Sequence, residues 1–531
     1  MTEHANLGLS SHSGAVGCIA PEPKKTSVIM VSLWLLMLGI LSIYLWLRQR
    51  YSYFERHNIV HLPVSAWTPL GHLRKLLLLR ISFGDLFHNI YADPRGGQAK
   101  VVGFFLFQTP ALMVRDPELI RLVLIKHFNS FLNRYEAADA AGDPMGSLTL
   151  PLAKYHNWRE SRQSMAQLFT SGRMRESMYP LMMRVVIDLE QYLQRKLGDR
   201  SERMLPLSKM CQLYTTDVTG NLFYSMDVGG LRRGKSQLLK KTKQLFDPDP
   251  RKVLDFMSIF FLPQWTNLLR AKVFSEEYAQ FMRSLVGHPR ERSKGDLIDQ
   301  LLHLQSSRPS SHYAQHPDFI ASQASIILLA GFETSSALLG FTLYELAKQP
   351  DLQKRLREEL AEAFSLAPTL TYETLVTLPF LRKVCLEALR LYPAAAFINR
   401  ECTSSDPNGF SLQPHVDFVV PNGMPAYISI LGLHRDEKYW PEPNRFDPER
   451  FDPDRSKDII PMTYIPFGAG PHGCIGSRLG SLQLKLGLAH ILRLCRVEVC
   501  EQTVPQIRFN PKTFMLESKD EIYLRFYRDK L

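Results

Sequence analysis

Cys474 sits in the run Phe467-Gly468-Ala469-Gly470-Pro471-His472-Gly473-Cys474-Ile475-Gly476, directly before a segment with helical periodicity, Ser477 to Leu494. A cysteine that works as a thiolate ligand must be held rigidly and supplied with hydrogen-bond donors. Backbone N–H groups can serve, and glycines let the backbone approach the sulfur closely. The N-terminus of the following helix would add the positive end of its dipole. The bland alternative is a core cysteine in a glycine-rich turn, the usual fate of a lone Cys. Against it stands the spacing FxxGxxxCxG formed by Phe467, Gly470, Cys474 and Gly476, whose chance occurrence in this composition is roughly one in a thousand. The other six cysteines, Cys18, Cys211, Cys385, Cys402, Cys495 and Cys500, form no CxxC pair and no zinc spacing. They do not make a disulfide framework, and a reducing compartment fits them better.

Three further groupings could do chemistry or hold something that does. Ala330-Gly331-Phe332-Glu333-Thr334-Ser335 lies near the middle of one long helical segment, Asp318 to Gln349, bounded by Pro317 and Pro350. A mid-helix Gly implies close backbone approach. A Thr hydroxyl bonded one turn back can loosen the helix, and a neighbouring carboxyl could then relay protons. Glu387 and Arg390 are three apart on a helix ending at Tyr392-Pro393, so they share a face. Trp158 and Arg162, four apart, place an indole N–H and a guanidinium together. Both are donors only, suited to a carboxylate. Each grouping also has an ordinary reading, as a core helix, a surface ion pair, or a core Trp beside a surface Arg.

These residues need a large scaffold. The chain has 531 residues, 45% apolar and 22% charged, enough for a sizeable core and too few charges for global disorder. The net charge of +12 is scattered, with no basic run interleaved with aromatics, which argues against nucleic acid. Val28 to Leu47 carries no charge over 20 residues, about 30 Å as a helix, one hydrocarbon thickness. It ends in Tyr44, Trp46 and arginines, as an interfacial anchor does, and is too long for a signal peptide. The flanking charges weakly favour a cytosolic C-terminal side. The expected organisation is a lumenal segment 1–27, a transmembrane anchor 28–47, a basic linker 48–62 and a catalytic domain 63–531. Within that domain, Ala99–Phe107 and Pro110–Val114 read as strands. Helical periodicity dominates from Pro117 to Leu391, with loops at Asp247–Pro250, His288–Gly295 and Ser306–Pro317, followed by a Pro-rich meander, one helix and terminal strands. The class is mainly α with a smaller β portion.

The loop around Cys474 resembles the haem-binding loop of the cytochrome P450 superfamily. The remaining groupings occur in the order that family shows, which is far more specific than any one alone. The resemblance implies a P450 fold and haem b, with Cys474 as axial ligand of the iron and Phe467, Gly470 and Gly476 framing it. It implies that Trp158, Arg162 and Arg400 meet the haem propionates. The family's usual Arg two residues before the Cys is His472 here, which puts that propionate contact in question. Glu387 and Arg390, with Arg450 from Pro448-Glu449-Arg450-Phe451, resemble the family's structural network under the haem. Thr334 and Glu333 match its oxygen-activation signature and are the expected proton-delivery pair. Longer segments, including Phe169-Thr170-Ser171-Gly172-Arg173-Met174, look like insect microsomal members of the family-six type. Other departures are Ala388, where Thr is common, and Asn422-Gly423-Met424-Pro425, where a Lys-Gly pair is usual.

The function so implied is monooxygenation of a lipophilic small molecule, a xenobiotic, insecticide or steroid-like hormone, at the endoplasmic reticulum membrane. Electrons would come from NADPH through NADPH-cytochrome P450 reductase, with cytochrome b5 as a second donor, and the catalytic domain would face the cytosol. Two alternatives stay open: a haem-thiolate isomerase or dehydratase needing no external electrons, and a non-catalytic haem-binding protein.

Overall fold

A computed structural model describes residues 25–245, 249–287 and 296–531. The expected lumenal segment up to residue 24, part of the loop Asp247–Pro250 and the whole loop His288–Gly295 lie outside the described residues. The helices that matter for the site are α1 (Lys25–Tyr51), α2 (Phe83–Tyr91), α3 (Tyr155–Ala166), α4 (Leu207–Tyr224), α5 (Pro250–Phe261), α6 (Phe319–Lys348), α7 (Pro379–Leu391) and α8 (Ser477–Leu494). The strands of the two larger sheets are β1 (Val101–Leu106), β2 (Thr109–Val114), β3 (Glu202–Pro206), β4 (Phe397–Glu401), β5 (Pro425–Ser429), β6 (Cys495–Glu498) and β7 (Tyr523–Arg528).

Among the described residues, two helices are long and apolar enough to cross a membrane, and their burial separates them. The apolar window within Ile29–Tyr51 has a mean hydropathy of 2.2 and none of that window is buried, whereas 67% of the α6 window is buried. α6 is apolar all round because helices enclose it, α4 most extensively. From Ile29 to Trp46 the large apolar side chains of α1 are exposed, as those of a lipid-facing helix are.

The stretch expected as a basic linker, 48–62, is instead bound to the domain. α1 runs on to Tyr51, whose ring meets Phe105 at 5.0 Å and whose hydroxyl donates to the Phe107 carbonyl at 3.2 Å. Phe54 is fully buried against Gly103, where a Cβ would stand 2.5 Å from its ring. Leu62 N–H donates to the Gly103 carbonyl at 2.9 Å. The arginines of this stretch are surface residues on an apolar strap formed by Tyr51, Phe54, Ile59 and Leu62.

β1 and β2 form an antiparallel hairpin, Val101 opposite Val114. β2 pairs in parallel with β5, and β5 antiparallel with β4, giving the order β1-β2-β5-β4. A second sheet has the order β3-β7-β6. β3 falls inside the region expected to be helical. It is a short edge strand whose partner, β7, lies at the far end of the chain, so no local pattern announces it. One apolar core lies among the helices and another around the first sheet. Residues of both line a cavity of ≈ 1070 Å³.

Candidate functional site

The ten residues ending at Gly476 form a rigid loop. Gly468 and Gly470 have φ of +69° and +70°, and a Cβ at Gly470 would collide with the Leu124 carbonyl. Cys474 N–H donates to the Phe467 carbonyl at 2.8 Å, and Gly473 N–H to the Gly470 carbonyl at 2.9 Å. Gly476 is the N-cap of α8. Cys474 is exposed, and it lines the cavity together with Phe467 and His472. Surrounding protein raises its thiol pKa by desolvation, while the Gly476 backbone and the guanidiniums of Arg162 and Arg134 favour the thiolate.

Donors gather beside it. Arg400, on β4, is 2% exposed, yet its Nη1 finds only the Asn399 carbonyl, at 2.6 Å, and its Nε has no partner. Burial, with Arg134 alongside, pushes its pKa down to about 9. Trp158, on α3, buries an indole N–H that likewise has no partner. Arg162 is half-buried one turn further on and lies near Cys474. Unpartnered buried donors of this kind are costly unless an acceptor joins them. They fit the acidic groups of a haem.

His472 stands among these groups in a different role from a cationic propionate partner. Its ring lies 3.9 Å from Trp158, and its Nε2 is 2.8 Å from the Leu132 carbonyl. Burial, then Arg134, Arg400 and Arg162, pushes its pKa down to about 2, so it is neutral at pH 7. A carbonyl can only accept, so Nε2 carries the proton and Nδ1 presents a lone pair.

The sequence reading passed over Arg134. It is half-buried in the loop before α3, donates to the Pro151 carbonyl at 3.0 Å, and stands 4.0 Å from Glu136. Asn399 donates to Glu136 at 2.6 Å and accepts from Tyr135 N–H at 2.8 Å, which fastens this loop to β4. Arg134 lines the cavity with Glu136 and Arg400. It follows directly on Phe128-Asn129-Ser130-Phe131, but its contacts come from distant chain, so spacing carries no signal of them.

Ala330, Glu333 and Thr334 of α6 line the same cavity. Thr334 Oγ1 donates to the Ala330 carbonyl at 2.6 Å, yet α6 stays continuous from Phe319 to Lys348, so the expected loosening does not break the helix. Gly331 allows close approach to a neighbouring helix: its Cβ would stand 3.1 Å from Thr219 Oγ1 of α4. Glu333 is buried. Desolvation, with the Glu517 carboxylate adding to it, pushes its pKa up to about 8, so it holds its proton at pH 7.

Glu387, Arg390 and Arg450 are brought together elsewhere, and none of them lines the cavity. Arg390 meets Glu387 through two bonds of 2.8 Å and donates to the carbonyls of His434 and Pro443, both at 2.8 Å. Asp447 N–H donates to Glu387 at 2.9 Å. Arg450 Nε lies 3.4 Å from Glu387 without hydrogen-bond geometry, so its contact is ionic, and its Nη2 donates to the Glu442 carbonyl at 2.9 Å. The network ties α7 to the meander ahead of the cysteine loop.

Comparison with known proteins agrees with this geometry. The family model described as cytochrome P450 matches residues 68–525. Relatives described as probable cytochromes P450 6t3 and 6v1 of Drosophila melanogaster are 72% and 41% identical. These alignments cover 94% and 91% of this chain, and 100% and 96% of the relatives. Cytochrome P450 6k1 of Blattella germanica is 30% identical, over 92% of this chain and 95% of its own.

Proposed function

The chain belongs to the cytochrome P450 family, and from that premise we propose that this haem-thiolate monooxygenase inserts one atom of O2 into a lipophilic small molecule. Electrons reach it from NADPH through a membrane-bound reductase, with cytochrome b5 as a second donor. The observation that carries the reading is that Cys474, held on its glycine-rich loop, lines one cavity together with Thr334 and Glu333.

Bound haem supplies O2 binding and cleavage, favoured by electron density from its thiolate ligand. The chain supplies the rest. Cys474 is the ligand. Arg134, Arg162, Arg400 and Trp158 hold the propionates, and Arg134 provides the guanidinium that position 472 lacks. His472 props Trp158 and the Leu132 carbonyl. Glu333 keeps a proton on its carboxyl at pH 7, and Thr334, the next residue on α6, presents its hydroxyl oxygen to the same cavity as a proton acceptor. The cavity wall excludes water. Glu387, Arg390 and Arg450 are structural.

α1 anchors the protein in the endoplasmic reticulum membrane with the domain on the cytosolic side, and substrate enters partly from lipid. The intact Glu333–Thr334 pair favours monooxygenation over isomerase chemistry, which needs no delivered protons. The test is turnover of a lipophilic panel under ¹⁸O2 with reductase and NADPH. One ¹⁸O atom per product molecule is expected. Product formed without NADPH, or carrying no ¹⁸O, contradicts the reading.

A further inference from the structure

The end of the cavity formed by α2 and α5 is built from phenylalanine rings. Phe83 (α2), Phe256 and Phe260 (α5), Phe397 (β4) and Phe514 all line it. Phe514 is the hub, with ring centroids 4.6 Å from Phe260, 5.3 Å from Phe397, 5.6 Å from Phe256 and 5.9 Å from Phe83. Phe83 also meets Phe256 at 5.0 Å, 65° between planes, and Phe256 stacks on Phe260 at 4.2 Å. Four separate parts of the chain converge here. Phe256, Phe260 and Phe514 are only half-buried, so faces and edges of the rings remain accessible.

The box is held in place. Leu516 N–H donates to the Ala394 carbonyl at 2.9 Å, and Asn510 N–H to the Glu517 carbonyl at 2.9 Å, which fixes the turn that carries Phe514. A pinned turn presents its ring in one position, where a mobile one would adapt to any apolar guest.

The charged lining does not make a second anchor. Arg251 pairs with Asp255 at 2.9 Å, and Lys252 with Asp249 at 3.6 Å. Arg270, Lys272 and Lys512 are exposed, where solvent screens them. Glu333 is protonated at pH 7. The recognition surface is therefore a set of ring faces and edges, whose quadrupoles favour another flat π-system over a saturated body of equal volume.

We propose that this five-phenylalanine box is the specificity element, and that it selects neutral substrates carrying a flat aromatic ring system. The assignment of the cavity as a substrate site rests on the monooxygenase reading; the ring selectivity is a separate property of the box.

The test uses the full-length holoprotein in detergent, with three probes: pyrene, its saturated counterpart perhydropyrene, and dodecanoate. Pyrene binding is read by its own fluorescence, and the other two by displacement of pyrene. Pyrene should bind about ten-fold more tightly than perhydropyrene. Phe514→Leu should abolish that preference while the CO-bound spectrum is unchanged. Phe256→Leu serves the same purpose if Phe514→Leu fails to fold. Equal binding of pyrene and perhydropyrene, equal weakening of both by the substitution, or a preference for dodecanoate overturns the proposal. Selective pyrene binding without NADPH-dependent turnover leaves this inference standing and counts against the monooxygenase reading alone.

Discussion

Glu333 is the residue whose chemistry is most changed by its surroundings. Its folded pKa of about 8 lies well above the ordinary 4.5, so the native state holds this proton more tightly than the unfolded chain does. The group therefore weakens stability progressively as pH rises from about 4.5 to about 8, and not further beyond. Turnover should fall through the same upper limit as the carboxyl loses its proton. Glu333→Gln should remove that pH limb and lower turnover by about a hundred-fold, as seen in pH–rate profiles of both proteins. At the propionate cluster, Arg134→Ala should lower the haem-to-protein ratio and speed haem transfer to apomyoglobin. His472→Arg should not improve retention, because it adds a cation beside Arg134, Arg162 and Arg400. Cys474, Trp158 and Arg162 could be named from the sequence because motif spacing carries them, and Arg400 because the family resemblance implies it. Arg134 could not, because its place beside Cys474 is made by contacts between loops remote in sequence. The neutral state of His472 was equally hidden, since it depends on burial and on three guanidiniums from other segments.

Among the elements, α7 and the meander depend on one another through a carboxylate and a guanidinium that are both fully buried. Removing either partner leaves an uncompensated charge in the interior, at a cost of about 3–5 kcal/mol. Arg390→Ala should therefore lower the thermal midpoint sharply and yield mostly haem-free protein, as measured by calorimetry and absorbance ratio. Arg390→Lys should rescue little, because a single ammonium cannot replace the bidentate pair and the carbonyl contacts. Long elements were legible beforehand: α6 runs Phe319–Lys348 where Asp318–Gln349 was expected, and α8 matches its expected range. β3 was not, because edge pairing with the last strand leaves no periodic trace.

For the whole molecule, the boundary between anchor and domain is set by burial and not by charge. Deleting residues 2–47 should release the protein from membranes while leaving it folded. Deleting 2–62 also removes Tyr51, Phe54, Ile59 and Leu62 and should lower stability by several kcal/mol, since four large apolar side chains leave the core. Membrane flotation and thermal melts distinguish the two truncations. The anchor's existence could be read from composition, but its firm attachment to β1 could not, because charged residues alternate with the buried ones. The proposed function rests on one coordination bond, from the Cys474 thiolate to haem iron. The most direct measurement is the absorption spectrum of the reduced, CO-bound protein, with Cys474→Ala beside it. A red-shifted Soret band in the native protein, lost on substitution, is the expected result. A Soret band typical of a nitrogen ligand in the native protein, or a red-shifted band that survives in Cys474→Ala, would contradict the account.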